Sequence, residues 1–232
     1  MKFHIGTSGY SYREWKGKFY PKDISADQML LFYAQRFDAV EINNTFYRMP
    51  KVEVLKAWAS QVPAAFTFAL KAPQRITHFQ RLKDVGKSVA EFLKVTAILK
   101  EKLGPVLFGL PPNFKKDVPR LSQFLRVLPR RGRFAFEFRH ESWMDEEVFD
   151  LLRQRRVALC MAEAEDGIET PLIETADWGY LRLRMVKYSD ADLKRWIKQI
   201  RRKKWKEVFV FFKHEEKATG PKFAKRFLEL TQ

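Results

Sequence analysis

The segment FAFEFRH, residues 134–140, alternates aromatic residues with small or charged ones. A period of two predicts a β-strand, because successive side chains of a strand point to opposite faces. The three phenylalanines then share one face, and Ala135, Glu137 and Arg139 share the other. A strand that is apolar on one face and charged only near its carboxyl end is typical of a closed barrel that is covered by helices, with its charges at the mouth.

Seven further segments have the length and the apolar pattern of strands. The eight predicted strands cover residues 2–8, 38–43, 66–71, 105–112, 134–140, 157–163, 180–184 and 207–215. Stretches with apolar residues three and four apart predict helices over residues 25–37, 51–61, 81–103, 117–128, 144–155, 189–203 and 217–230. Only the connection after the sixth strand lacks a convincing helix, so the sixth helix is expected to be weak or missing.

This alternation predicts an α/β fold with a parallel sheet. Eight strand and helix repeats favour a closed TIM (β/α)8 barrel over an open doubly wound sheet. The chain has 232 residues, slightly fewer than the roughly 250 typical of this barrel. One domain over residues 1–232 is therefore expected to use the whole chain.

The composition is that of a globular protein with a large core, since 46% of the residues are hydrophobic and 15% are aromatic. The longest apolar runs have strand length, well below the roughly 20 residues that cross a bilayer. The sequence opens with a predicted strand and shows no export signal. Its single cysteine, Cys160, has no partner for an internal disulfide. These features predict a cytoplasmic protein without membrane association.

The chain is strongly basic, with 44 Lys and Arg against 28 Asp and Glu and a formal charge of +16. Such an excess favours anionic partners such as phosphorylated small molecules or nucleic acid. Much of it lies in residues 130–133, 153–156 and 198–206, which precede predicted strands and so lie opposite the mouth. These runs are either solvated helix ends, where the helix dipole favours cations, or a surface that binds nucleic acid.

Six segments carry a family resemblance that covers most of the chain. They are IGTSGYSYREWKGKFYP, FDAVEINNTFYRMP, FALKAPQRITH, LGPVLFGLPPNF, FAFEFRHESW and ETADWGYLRLR, between residue 5 and about residue 184, and FFKHE at 211–215 extends the match. These segments resemble the signatures of the YecE-like family, domain of unknown function 72. The resemblance implies a TIM barrel and no settled activity.

The candidate site consists of polar side chains at the predicted carboxyl ends of the strands. The predicted catalytic residues are Glu41, Glu137 and His214, and the predicted substrate contacts are Asn43, Tyr47, Lys71, Arg139, Trp143, Arg184 and Lys213. A cationic cavity favours a phosphate or a carboxylate, which arginine holds in a bidentate fork. Glu41 or Glu137 is then the general acid or base. His78 and His140 also stand near this end, and Arg182 is expected to lie deeper as a structural partner.

Several of these residues have alternative roles. Glu137 and Arg139 form either a functional pair or a salt bridge that only satisfies itself. Lys71 is either an anion clamp or a Schiff-base amine. Tyr47 and Trp143 either stack on a ligand ring or pack as a hydrophobic lid.

A metal site is the less favoured option, so no cofactor is expected. Glu41, Glu137, Glu163 and His214 offer a possible ligand set, but no closely spaced H-x-H or HExxH motif is present. The leading hypothesis is an enzyme with hydrolase-like acid/base chemistry on an anionic small molecule or a nucleic-acid end. The alternative is a noncatalytic nucleic-acid-binding protein, and the oligomeric state stays open.

Overall fold

The computed structural model of the chain describes residues 1–163, 167–213 and 218–232. It contains an eight-stranded parallel sheet in the order β1-β8-β7-β6-β5-β4-β3-β2. The strands are β1 (Lys2–Thr7), β2 (Ala39–Ile42), β3 (Thr67–Lys71), β4 (Leu103–Gly109), β5 (Phe134–Glu137), β6 (Ala158–Glu163), β7 (Trp178–Leu183) and β8 (Glu207–Phe212). The predicted α/β barrel is therefore confirmed.

Helices follow the strands and cover the outside of the barrel. They are α1 (Met29–Ala34), α2 (Asn44–Tyr47), α3 (Val52–Gln61), α4 (Gly86–Thr96), α5 (Val118–Val127), α6 (Glu146–Arg155), α7 (Asp190–Arg201) and α8 (Thr219–Thr231). Short 3-10 helices span Arg13–Trp15, Ala97–Lys102 and Glu141–Trp143, and a π-helix spans Arg75–Phe79. Residues 167–177, between β6 and β7, contain no helix, as their weak pattern predicts.

Two predicted helices are shorter than their apolar pattern. The helix predicted from residue 81 begins only at Gly86, because Arg81, Leu82 and Asp84 have positive φ angles of 45°, 68° and 53°. A left-handed backbone does not continue a right-handed helix, so the chain turns at these residues instead. The helix predicted over 25–37 reduces to α1.

The interior of the barrel is filled unevenly. Small side chains enter from β2, β3, β5 and β6, whereas β7 and β8 contribute large rings. The small residues are Ala39, Ala69, Ala135 and Ala158, and the rings are Trp178, Tyr180, Phe209 and Phe211. Cys160 is fully buried in the same layer. Large and small residues that face each other across a narrow space pack without voids.

The seam of the barrel is the junction between β1 and β2. A backbone bridge joins Ser8 and Glu41, where the amide of Gly9 donates to the Glu41 carbonyl at 2.7 Å. Further down, the Tyr33 hydroxyl of α1 accepts from the Thr7 amide at 2.8 Å. The same hydroxyl donates to the carbonyl oxygen of Ala39 at 3.0 Å, and Asp38 accepts from the Ile5 amide at 2.9 Å. Side chains thus replace part of a strand ladder, which satisfies backbone groups that would otherwise be buried unpaired.

His4, near the amino end of β1, is buried between two carboxylates. Its Nε2 lies 3.2 Å from Glu207 Oε2 and its Nδ1 lies 3.5 Å from Asp38 Oδ2. The ring stacks on Phe209 with 4.4 Å between centroids. Burial disfavours the charged ring, but the two carboxylates outweigh it and raise the pKa of His4 above its ordinary 6.5.

The substitution His4→Phe retains an aromatic ring to stack on Phe209 and removes the imidazole that titrates. Because the folded pKa of His4 is raised, its stabilising effect is complete below pH 6.5 and is lost as the pH rises through the folded pKa. We expect the variant to lose about 1–3 kcal/mol of unfolding free energy at pH 6 and less at pH 8.5. Urea denaturation of both proteins at the two pH values measures this. Equal losses at both pH values would contradict a charged His4.

Candidate functional site

Three charged side chains are buried at the carboxyl end of the barrel, its mouth. Glu41 and Glu137 are fully buried and Arg182 is 2% exposed. They come from β2, β5 and β7, where alternation points them inward. The sheet register sets a small residue beside each of them, namely Ala69, Gly109 and Ala162. These neighbours leave the room that a glutamate or an arginine needs inside a barrel.

Arg182 bridges the two buried carboxylates. Its Nη1 donates to Glu137 Oε2 at 2.7 Å and its Nη2 donates to Glu41 Oε1 at 2.9 Å. The hydroxyl of Tyr180 donates to the other oxygen of Glu41 at 2.7 Å. One guanidinium therefore satisfies two carboxylates from strands on different sides of the barrel, as a planar fork of donors allows.

Glu137 also holds two arginines nearer to solvent. Arg184 Nη2 donates to Glu137 Oε1 at 2.8 Å, and Arg139 Nη2 donates to Glu137 Oε2 at 3.2 Å. The Arg139 side chain is 31% exposed and that of Arg184 is 20% exposed. We call Glu41, Glu137, Arg139, Arg182 and Arg184 the mouth cluster. It places two guanidinium groups between a buried carboxylate and the outside.

Both carboxylates of the mouth cluster are held ionised. Burial raises the pKa of Glu137, but the guanidinium groups of Arg182, Arg139 and Arg184 outweigh burial and hold it well below its usual range. The pKa of Glu41 is also lowered, because Arg182 and the Tyr180 hydroxyl outweigh its burial. With three arginines and Lys71 against two glutamates, the mouth has an excess of two positive charges when Lys71 is protonated.

Lys71 lies at the end of β3 beside the mouth cluster. Its Nζ is 4.0 Å from the centroid of the Phe46 ring. The hydroxyl of Thr45 donates to its carbonyl at 2.6 Å and fixes the strand end. Burial and the nearby guanidinium groups of Arg182 and Arg139 lower the pKa of Lys71 from 10.5 to about 8.

His78, in the π-helix, lies on the same side of the mouth. Its ring packs against Phe46 with 4.8 Å between centroids, and its Nδ1 is 2.9 Å from Thr77 Oγ1. Burial, together with the charges of Lys71 and Arg139, lowers its pKa to about 4. The imidazole is therefore neutral at pH 7. Single-turn π-helices occur frequently at functional sites.

The structure brings five of the ten predicted site residues together. Glu41, Lys71, Glu137, Arg139 and Arg184 converge at the mouth. The rest are Asn43, which starts α2 without a side-chain cap, Tyr47, which is 70% exposed, Lys213, which is exposed after β8, Trp143, which is fully buried, and His214, which lies outside the described residues.

Trp143 stabilises a loop and presents no surface to a ligand. Its ring stacks on Phe138 at 4.7 Å and its Nε1 donates to the carbonyl of Phe114 at 2.6 Å. His140 likewise serves the loop, because its Nδ1 accepts from the Ser142 amide at 3.1 Å.

Tyr180 is a site residue that the sequence analysis did not select. The signal was present, since the alternation of residues 180–184 sets Tyr180, Arg182 and Arg184 on one face.

The described residues offer no ready metal centre. Within 1–163, 167–213 and 218–232, no group of three His, Cys, Asp or Glu side chains could hold a metal ion. Glu163, one of the possible ligands, instead accepts hydrogen bonds from Tyr188 at 2.5 Å and from Trp196 at 3.2 Å.

In the residue ranges that the structure describes, every helix is too short or too polar to cross a membrane.

A groove of about 590 Å³ lies on the outer surface, between α8 and the loop that precedes α1. Its lining includes Phe19, Phe37 and the charged residues Lys18, Lys222 and Glu229. All three charged residues are exposed. The mouth differs from this groove because Glu41, Glu137 and Arg182 are buried and converge there with shifted pKa values, and such values cluster at functional sites.

Comparison with known proteins places the chain among relatives of undefined activity. The model of the family described as "Protein of unknown function DUF72" matches residues 4–232. The UPF0759 protein YecE of Escherichia coli (strain K12) is 36% identical over 109 residues, which span 47% of this chain and 40% of that protein. The UPF0759 protein YunF of Bacillus subtilis (strain 168) is 23% identical over 233 residues, 92% of this chain and 79% of that protein.

Solved structures with the same fold cover almost the whole chain. The crystal structure of a DUF72 family protein from Thermotoga maritima MSB8 has a TM-score of 0.88 and 26% identity, and covers 99% of both chains. That of a DUF72 family protein from Enterococcus faecalis V583 has a TM-score of 0.81 and 17% identity, and covers 99% of this chain and 95% of that one. The second likeness concerns the fold alone.

Proposed function

The chain belongs to the DUF72 family, and from this premise we propose that its barrel mouth is an enzyme site for a small anionic molecule. The substrate has a phosphate or a carboxylate, and the reaction is acid/base chemistry of the hydrolase type. The main support is that Glu137 accepts from three guanidinium groups while the mouth keeps an excess of positive charge. In TIM-barrel enzymes the active site lies at this end of the barrel.

Arg139 and Arg184 are the proposed anion contacts. Both are partly exposed and both are oriented by Glu137, so little side-chain freedom is lost when an anion binds. Among the described residues, the buried Nε of Arg139 has no hydrogen-bond partner. A buried donor without an acceptor is costly, and an incoming oxyanion would satisfy it.

The geometry divides the predicted catalytic roles. A carboxylate stabilised by three arginines binds protons too weakly for efficient transfer near neutral pH, so Glu137 is proposed as the residue that positions the arginines. Glu41, which Arg182 and Tyr180 hold in the same way, supports this arrangement from below. The proposed proton-transfer group is Lys71, whose pKa of about 8 is close to neutrality.

Calorimetric titration with inorganic phosphate and pyrophosphate tests the anion site. The variant Arg139→Ala removes a charged donor, which corresponds to about 1.5–3 kcal/mol and a loss of affinity of tenfold or more. The matched control is Arg130→Ala, an exposed arginine before β5 at the other end of the barrel, which should leave the affinity unchanged. Failure of the wild-type protein to bind either anion, or equal weakening by both substitutions, would refute the proposal.

A second candidate function rests on the basic runs at the amino ends of β5, β6 and β8. Arg130, Arg131 and Arg202 are exposed there. Binding of DNA by this surface would weaken steeply with salt. Changing Arg201, Arg202, Lys203 and Lys204 to Gln would then abolish a fluorescence anisotropy signal that Glu137→Gln leaves intact. The reverse result, or no DNA binding, would exclude this function.

A further inference from the structure

Lys71 differs from the other cations of the mouth because it lacks a carboxylate partner. The three arginines all donate to glutamates. Within the part of the chain that the structure describes, no carboxylate oxygen lies within 4.0 Å of Lys71 Nζ. The amine lies over the face of Phe46, 4.0 Å from the ring centroid. The amine is therefore held by an aromatic ring and lies next to two guanidinium groups that repel its charge.

Two other partly buried lysines have polar partners. Lys116 forms an ion pair with Asp145 at 2.8 Å, which raises its pKa. Lys102 donates to the carbonyl of Val62 at 2.8 Å. Lys71 has instead a lowered pKa of about 8, so a substantial share of its amine is neutral and nucleophilic near physiological pH. Burial and a neighbouring cation are the two ways in which proteins activate lysine for covalent catalysis.

We propose that Lys71 forms an imine with the carbonyl carbon of a phosphorylated or carboxylated aldehyde or ketone. This inference rests on the proposed anion site, because Arg139 and Arg184 would hold the acidic group while the carbonyl faces the amine. It names a substrate class for the mouth, namely an anionic carbonyl compound. Gly109 lies between the side chains of Lys71 and Glu137. A Cβ at this position would lie 3.6 Å from Lys71 Cε and 3.1 Å from Glu137 Oε2, so the glycine leaves space beside the amine.

The reaction needs no added oxidant or reductant. The neutral Nζ attacks the carbonyl carbon, a C–N bond forms, and the carbonyl oxygen takes a proton. Nitrogen loses a proton to give a carbinolamine, and the hydroxyl of this carbinolamine takes a second proton. The nitrogen electron pair then forms the C=N bond, the C–O bond breaks, water leaves, and the protonated imine gives up its remaining proton. The products are one imine and one water, and hydrolysis reverses the step. With Lys71 as the nucleophile, the candidate proton carrier is His78, because its ring contacts the same Phe46 ring as Lys71.

Reductive trapping with a phosphorylated aldehyde tests this role directly. The intact protein is treated with substoichiometric pyridoxal 5′-phosphate, or with pyridoxal as the probe without phosphate, and reduced with sodium borohydride. Peptide mass spectrometry then locates the label. We expect Lys71 to be labelled at least tenfold faster than Lys116 or any other lysine, faster with the phosphorylated probe, and with a rate that rises towards pH 8. Inorganic phosphate should slow the labelling, and Lys71→Arg should remove it.

The outcomes separate this inference from the proposed function. If phosphate binds in calorimetry but label spreads evenly over exposed lysines, the imine is refuted and the anion site stands. If Lys71 is labelled equally by both probes and phosphate does not bind, the anion site and the substrate class proposed here are both refuted. The peptide map and the calorimetry of the wild-type protein together decide between these outcomes, so the test does not depend on the folding of the Lys71 variant.

Discussion

The variant Arg182→Met is expected to lose about 3–5 kcal/mol of unfolding free energy, the range observed when one partner of a buried ion pair is removed. The substitution removes the only guanidinium group that donates to Glu41 among the described residues, and it takes one of three guanidinium groups from Glu137. Both carboxylates stay buried, where an unpaired charge is costly. Chemical denaturation at pH 7 measures the loss.

The pH dependence of this loss identifies its cause. In the wild-type protein the pKa values of Glu41 and Glu137 are lowered, so their stabilisation is present above pH 4.5 and is lost as the pH falls through the folded pKa. In the variant, burial without the Arg182 guanidinium disfavours the ionised form of Glu41, so the difference in stability from the wild-type protein should shrink as the pH falls. The control Arg195→Met removes an exposed pair with Asp192 at 3.0 Å and should change stability little. Equal effects of both substitutions would contradict the buried network.

The variant Gly6→Ala is expected to cost about 3 kcal/mol or more, because it adds a side chain inside the seam. An added Cβ would lie 1.9 Å from the carbonyl oxygen of Ala39 and 2.7 Å from the Tyr33 hydroxyl. The first is a backbone atom of the neighbouring strand, so β1 and β2 must separate. A loss of this size lowers Tm by roughly 6–12 °C in a chain of this length.

A second glycine offers a matched control for the seam. In Gly86→Ala, the new Cβ at the start of α4 would lie 4.0 Å from Val127 Cγ1, which is ordinary contact. Since alanine restricts the unfolded chain more than glycine does, this change should be neutral or stabilise by about 0.4–1 kcal/mol. Differential scanning calorimetry compares the two variants. Similar Tm values for both would mean that the seam tolerates separation.

The sequence predicts which side chains point into the mouth, because the direction of a side chain depends only on alternation within its own strand. Alternation within one strand sets Glu137 beside Arg139 and Arg182 beside Arg184 without any knowledge of the other strands. Barrel topology then brings the strand ends together. For these reasons both the fold and the convergence of Lys71 with the two glutamates could be predicted.

Pairings across the barrel could not be predicted in the same way. Arg182 and Glu41 are 141 residues apart, and which glutamate meets which arginine depends on register and strand tilt. The lowered pKa of Lys71 depends on its burial and on Arg182 and Arg139, which are also distant in the sequence. Loops are harder still, because no periodicity tells whether Trp143 turns towards a ligand or into the core, and the structure turns it inward.

Tyr33 gives the barrel a dependence on its outer layer. The Tyr33 hydroxyl of α1 joins the Thr7 amide of β1 to the Ala39 carbonyl of β2. An outward motion of α1 would therefore break these two hydrogen bonds and weaken the contact between the two strands. Nearer to the mouth, the two strands are joined by the main-chain hydrogen bond from Gly9 to Glu41, whose side chain belongs to the mouth cluster. Separation of β1 and β2 at this point would therefore displace Glu41 and disturb its ion pair with Arg182.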